Sequence, residues 1–360
     1  TTGLTNQNFG ETVSTLAGSV YVDANNNGVR DPGELPIAGV PVTLTGTNAA
    51  GQTVNLTTNT DPSGNYSFTG LLASNGAGYT VTETQPTAYN DGLDTAGSVG
   101  GNTSTNDVIS TVVLPTATDA TGYLFGERGA SITGTVWVDT NRDTTLQTGE
   151  TDRLGGVVIE LRDNLGNFIA TTTTDPAGNY SFNNLPIGAY QIVQPTQPTG
   201  YGSSTSNTLN VTLPLGGLAN QNFGETVSTL SGSVYVDTSN DGFRQVGEPG
   251  IQGIPVQLTG TDANGNPVVL NTSTDANGNY SFTGLLSGTY TVTEVIQPSG
   301  YPDGTDREGS VGGTAGNDVI SAVNLPTGTD AVSYNFGELT PVVTTASISG
   351  RVWIDTDRAG

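Results

Sequence analysis

The chain has 360 residues with Lys+Arg 9 against Asp+Glu 33, a net charge of −24, so nucleic acid and anionic membrane surfaces are poor partners for it. It contains no His, Cys or Met, and all nine basic residues are Arg; this excludes imidazole and thiol catalysis, Cys/His metal sites, disulfides and lysine Schiff-base or P-loop chemistry. Gly 51 and Pro 18 are rich but short of low complexity, which points to turn-dense β-structure in two to four domains, with no apolar run long enough to span a membrane.

In chain order, residues 3–16 read GLTNQNFGETVSTL and return almost unchanged at 217–230, an offset of 214. Residues 1–11 are thus expected to be the closing strand of a preceding repeat. A first long unit follows over 17–127. It opens with a strand ending at Asp23 and continues through an acidic loop to a second strand near Val40–Leu44. A hairpin then leads into Tyr66-Ser67-Phe68, after which come Tyr79–Glu83 and a closing strand at Phe125-Gly126-Glu127. The same plan recurs in a short unit over 130–225 and a second long unit over 231–338, and 346–360 reads as the opening strand of a following repeat.

Alternation of apolar and polar residues between turn signals predicts strands throughout and no helix. The paired aromatics Tyr66/Phe68, Tyr180/Phe182 and Tyr280/Phe282 lie two apart and share a face, so they are expected in the core, with Gly64, Gly178 and Gly278 at positive φ in the preceding turns. About seven short strands per unit give an all-β chain of tandem antiparallel Greek-key β-sandwiches, prealbumin/Ig-like, in an extended array. Linkers of a few residues restrict motion between units and favour a rod.

The loop after Asp23 matches the twelve-residue EF-type calcium loop. Asp23, Asn25, Asn27, the Val29 carbonyl, Asp31 and Glu34 fall at positions 1, 3, 5, 7, 9 and 12, with Gly28 at the bend. The second long unit repeats it as Asp237, Ser239, Asp241, Phe243, Gln245 and Glu248 around Gly242. The short unit offers Asp139, Asn141, Asp143, Gln147 and Glu150, with Thr144 in place of the glycine, and its site is expected to be weaker or differently bent. Ca²⁺ is the expected ion, because it takes six to eight hard oxygens and a plain Asx turn has no need of a position-12 Glu.

The long units carry a further acidic insert, Asp91, Asp94, Asn106, Asp107 and Asp119 matched by Asp303, Asp306, Asn317, Asp318 and Asp330. Further ions or a solvated surface fit it equally, since no ligand template sets the spacing. Asp61, Asp175 and Asp275 read as turn caps; the closing glutamates Glu127, Glu225 and Glu338, near the domain junctions, fit either an ion bridging two domains or a turn cap, the cap being favoured because a single acid makes a poor ion site.

Together the strand–loop–strand V-[YW]-[VI]-D-x-[NS]-x-[ND], the TD-x-x-G-N-Y-S-F hairpin, Y-T-V-T-E and F-G-E resemble the SdrD B-like domain of serine-aspartate repeat surface proteins, akin to the B-type domains of collagen adhesins. The resemblance covers three units and two fragments. It implies secreted, calcium-binding β-sandwich repeats forming a stiff stalk that carries adhesive heads at a cell surface. Glu83 and Glu294 resemble the glutamate that promotes a Lys–Asn isopeptide crosslink in collagen-adhesin domains; without lysine that crosslink cannot form here.

The expected function is a calcium-stiffened structural repeat rod of an extracellular surface protein, a stalk or fibre whose partners are neighbouring repeats of its own chain, with self-assembly open. The alternative is an adhesin module gripping a host protein or glycan. Near-verbatim copies favour the spacer, because a binding face needs one distinct surface. An enzyme is not expected, since the acid pairs recur in every repeat instead of converging once.

Overall fold

The computed structural model describes residues 12–341, 347–354 and 356. Strands, turns and loops make up the described chain, and no helix among these residues is long and apolar enough to cross a membrane. The chain divides into two compact units. One comprises the residues through Val136 with Arg153–Pro195 and Asn207–Phe223; the other comprises Trp137–Asp152, Thr196–Ser206 and the residues from Gly224 onward.

In the first unit, one sheet has the order Asn65–Leu71, Ser14–Val22, Asp119–Arg128, Asn90–Thr95. A second has the order Thr53–Asn59, Pro41–Asn48, Ser74–Glu83, Val108–Val112, Asn102–Thr105. Alternate residues of both sheets fill the core: Leu16, Val20, Leu44, Tyr66, Phe68, Tyr79, Val81, Ile109, Tyr123 and Phe125 are all buried. Tyr66 and Phe68 meet edge-to-face with centroids 6.1 Å apart, and Gly64 turns the hairpin at φ +74, both as the pattern requires. Asp61 caps that turn, its Oδ1 accepting from the Ser63 and Asn65 amides at 2.8 and 2.9 Å. The same unit holds the sheet Phe168–Thr173, Val158–Asp163, Gly188–Val193, Thr208–Leu213 over a second core around Ile132, Leu161, Tyr180, Phe182 and Phe223.

In the second unit, Asn279–Leu285, Ser228–Val236 and Asp330–Glu338 form one sheet, and Pro267–Ser273, Pro255–Asp262, Gly288–Glu294, Val319–Leu325 and Thr314–Gly316 the other. Tyr280, Phe282, Tyr334 and Phe336 lie between them.

One feature departs from the antiparallel expectation: the opening strand pairs with the closing strand in parallel, Val22 opposite Glu127 and Val236 opposite Glu338. Alternation specifies which face of a strand is buried and leaves the direction of its partner open. The consequence is functional. Parallel pairing brings the closing glutamate beside the start of the acidic loop, where Asp23 N–H donates to the Glu127 carbonyl at 2.7 Å. Single residues, Gly129 and Val227, separate each closing strand from the next opening strand. Residues 347–354 form no strand, and Ile348 and Val352 there are exposed; the strand expected over 346–360 otherwise, like the closing strand over 1–11, falls outside the described residues.

Candidate metal centre

Each acidic loop folds around its first aspartate. Asp23 is fully buried, and its two oxygens accept from the Gly28 and Asn27 amides at 2.7 and 3.0 Å. Asn25, Asn27 and Asp31 converge, both amide groups donating to Asp31 Oδ2 at 2.8 and 2.9 Å, while Asn27 Oδ1 accepts from Val29 N–H. Glu34 closes the loop by accepting from Ala24 and Asp31 N–H, each at 2.9 Å. The loop at Asp237 repeats this: Gly242 N–H donates to Asp237 at 2.7 Å, Ser239 Oγ lies 3.2 Å from the same carboxylate, Asp241 caps Phe243, and Glu248 accepts from Thr238 and Gln245. In the short repeat, Asp139 accepts from Thr144 N–H, Asn141 donates to Asp143 and to Gln147, and Glu150 accepts from Thr140 N–H and from Trp137 Nε1 at 3.0 Å. The position-12 glutamates therefore serve as caps on backbone amides in all three loops.

The acidic insert is built differently. Glu83 ends the strand Ser74–Glu83, Glu127 lies in Asp119–Arg128, Asp91 and Asp94 lie on Asn90–Thr95, and Asp107 occupies the turn before Val108 at φ +59. Backbone bonding locks the arrangement: Glu83 N–H donates to the Asp107 carbonyl at 2.9 Å, and Asp107 N–H to Asp94 Oδ2 at 2.9 Å. Glu83, Asp107 and Glu127 place carboxylate oxygens within 4.8 Å of one another. The second long repeat reproduces the group: Glu294 N–H reaches the Asp318 carbonyl and Asp318 N–H reaches Asp306 Oδ2. There the triads are Glu294/Asp318/Glu338 and Asp303/Asp306/Asp318.

Here only part of the oxygens is spent on the protein itself: Gln85 Nε2 donates to Glu127 Oε2 and Gln297 Nε2 to Glu338 Oε2. Glu83 is 3% exposed and Glu127 1%, yet both Glu83 oxygens, Glu127 Oε1 and one oxygen each of Asp91, Asp94 and Asp107 have no hydrogen-bond partner, and Glu294 and Glu338 match them. Burial, followed by repulsion from Glu127, pushes the Glu83 carboxyl up to about 10. Burial likewise raises Glu127 to about 8, Asp94 to about 7 and Asp107 to about 6, and in the other long repeat Glu294 to about 9, Glu338 to about 8 and Asp306 to about 7. Buried carboxylates without a counter-charge must keep protons or take up a cation. An all-oxygen, multiply anionic donor set suits a hard divalent ion of the Ca²⁺ type.

The insert, open between ions and solvated surface on the sequence, thus holds the less satisfied acids, and Glu127 and Glu338, expected as turn caps, instead lie within strands and join it. Asp119 and Asp330 stand outside it, accepting from Thr15 and Thr229. Glu83 and Glu294 are the members that motif reading passed over. Their signal was present: the short repeat, which lacks the insert, has Gln194 where they stand.

A family model described as SdrD B-like domain matches residues 14–125, 130–212 and 228–339. Serine-aspartate repeat-containing protein F of Staphylococcus epidermidis is 34% identical over 314 residues, 81% of this chain and 17% of that one. Serine-aspartate repeat-containing protein D of Staphylococcus aureus strain MW2 is 32% identical over 366 residues, 96% of this chain and 26% of that one; the chain therefore spans about a quarter or less of these two relatives. Among solved structures, the Bacillus anthracis TIE protein aligns over 91% of this chain and 51% of its own, with 15% identity and a TM-score of 0.44.

Proposed function

Because the chain belongs to the SdrD B-like domain family, we propose that it is a stalk or fibre segment of an extracellular surface protein, made of three β-sandwich repeats over 17–127, 130–225 and 231–338, whose two long repeats are stiffened by Ca²⁺. The observation that carries the cation reading is the buried, unpartnered carboxylate group of each long repeat. Glu83, Asp91, Asp94, Asp107 and Glu127 would hold an ion in the first, and Glu294, Asp303, Asp306, Asp318 and Glu338 in the third. The loop residues Asp23, Asn25, Asn27, Asp31 and Glu34, with their counterparts at 237–248, offer a second oxygen set once Asn25 and Asn27 turn their amide oxygens inward. A bound ion removes the repulsion that the carboxylates otherwise suffer, so it binds the folded state and stabilises it.

The stalk reading is supported by the repeated units and by connections of one residue between strands of successive repeats, which leave no flexible spacer. Small-angle scattering of the intact chain, with Ca²⁺ and with a chelator, tests both parts. An elongated particle whose maximum dimension and rigidity fall on chelation supports the proposal. A compact particle in both conditions overturns the stalk, and an elongated one indifferent to chelation overturns the cation.

A further inference from the structure

The three repeats are not equivalent toward a cation, and the difference is written residue by residue. Backbone hydrogen bonds fix the correspondence: Glu83 N–H to the Asp107 carbonyl, Glu294 to Asp318 and Gln194 to Asn207, each at 2.9 Å. Strand pairing adds Asp91 opposite Glu127 and Ser203 opposite Glu225, and the bridge from Asp303 to Glu338 is the third instance. The five carboxylates of a long repeat thus become Gln194, Ser203, Ser206, Asn207 and Glu225 in the short one. Four of five acids are replaced by neutral amides or hydroxyls, each close in size to the acid it replaces or smaller.

The short repeat's acidic loop diverges in the same sense. Arg142 stands where the long repeats have Asn26 and Asn240; its guanidinium bonds Asp330 at 2.8 Å and the Val227 carbonyl at 2.7 Å. Glu150 accepts from the indole of Trp137, whereas the hydroxyls of Tyr21 and Tyr235, at the corresponding places, are buried without a partner. Thr144 holds the bend at φ +67, where the long repeats use Gly28 and Gly242. Side chains of this chain itself occupy roles that the long repeats leave open.

We propose that the short repeat is cation-independent, so that the chain alternates ion-requiring and ion-free segments. The inference rests on the cation reading of the long repeats given above. An amide or hydroxyl in place of a buried carboxylate removes both the repulsion and the charge that would attract an ion. Withdrawal of calcium then loosens the two long repeats and leaves a rigid piece between them, and the chain becomes compliant at defined places instead of unravelling along its length.

Hydrogen-exchange mass spectrometry of the intact chain, in Ca²⁺ and in a chelator, tests this peptide by peptide. Chelation is expected to speed exchange about ten-fold or more in Ser74–Glu83, Asp119–Arg128, Gly288–Glu294 and Asp330–Glu338, and by less than about two-fold in Asn179–Leu185 and Gly188–Val193. Equal acceleration in all three repeats overturns the alternation while leaving the cation reading in place; no acceleration anywhere overturns the cation reading and the alternation with it. A variant provides the converse arm. Glu83→Gln, Asp91→Ser, Asp94→Ser and Asp107→Asn together write the short repeat's residues into the first, which is expected to become indifferent to chelation while the third repeat still responds. Continued response of the first repeat in that variant overturns the assignment.

Discussion

Replacing Glu83 by Gln is expected to stabilise the first repeat when calcium is absent. Glu83 is 97% buried, faces Glu127 and Asp107, and neither of its oxygens has a hydrogen-bond partner. Its carboxyl is held at about 10 against an ordinary 4.5, so at neutral pH the folded state keeps a proton that the unfolded chain has released. The 2.5 pH units between 4.5 and 7, at ~1.36 kcal/mol each, put that cost at about 3 kcal/mol. Glutamine has nearly the same shape and no proton to retain, so Glu83→Gln recovers most of this, raising the melting temperature of a repeat of this size on the order of 10 °C. With Ca²⁺ the variant's advantage shrinks to about 2 kcal/mol. The ion neutralises wild-type Glu83, and the variant, one charge short, binds about ten-fold more weakly, a loss of ~1.4 kcal/mol. Scanning calorimetry of the intact chain in chelator and in Ca²⁺ reads both arms. A variant less stable than wild type in chelator at pH 7 would refute the reasoning, because it would mean that the buried carboxylate is already compensated by something other than a proton or an ion.

The same carboxyls give a pH dependence of definite sign: their folded values are raised, so the ion-free long repeats lose stability as pH climbs from about 4.5 through about 8 to 10, and chelated melts at pH 5 and pH 8 should show it while calcium-loaded melts do not. Trp137→Phe removes the indole donor to Glu150 and is expected to cost the short repeat about 1–2 kcal/mol in urea unfolding, with no change in calcium uptake. Thr144→Gly relieves a β-branched residue held at φ +67; it should stabilise the short repeat by about 1 kcal/mol without making it respond to calcium. Arg142→Ala breaks a half-exposed pair with Asp330, and a loss above about 1 kcal/mol in the same unfolding assay would contradict its reading as a surface ion pair.

The strands and their faces were legible wherever a local rule operates. Tyr66 and Phe68 share a buried face because they lie two apart, Gly64 adopts positive φ because a tight hairpin requires it, and Asp61 caps that hairpin through its own side chain. The direction of the closing strand was not legible, since no periodicity encodes which distant strand Asp119–Arg128 lies beside. The acidic loops were legible as contiguous loops opening at Asp23 and Asp237, read as EF-type calcium loops, whereas the hydrogen bonds inside them lie outside a ligand template. Glu83 escaped as a cation ligand for the opposite reason: it lies 44 positions before Glu127 and on the other sheet, so only the packing of the two sheets brings the two carboxylates together. Comparing Gln194 with Glu83 and Glu294 would have found it, because the short repeat drops the carboxylate and the insert together.

Calorimetric titration of the intact chain with Ca²⁺, paired with the identical titration of a variant carrying Glu83→Gln and Glu294→Gln, most directly tests whether the buried carboxylates of the long repeats are the cation sites. Saturable uptake by the wild type, weakened in the variant while both chains keep the same circular dichroism, is the expected result. An unchanged isotherm in the variant, or no uptake by the wild type, would contradict it.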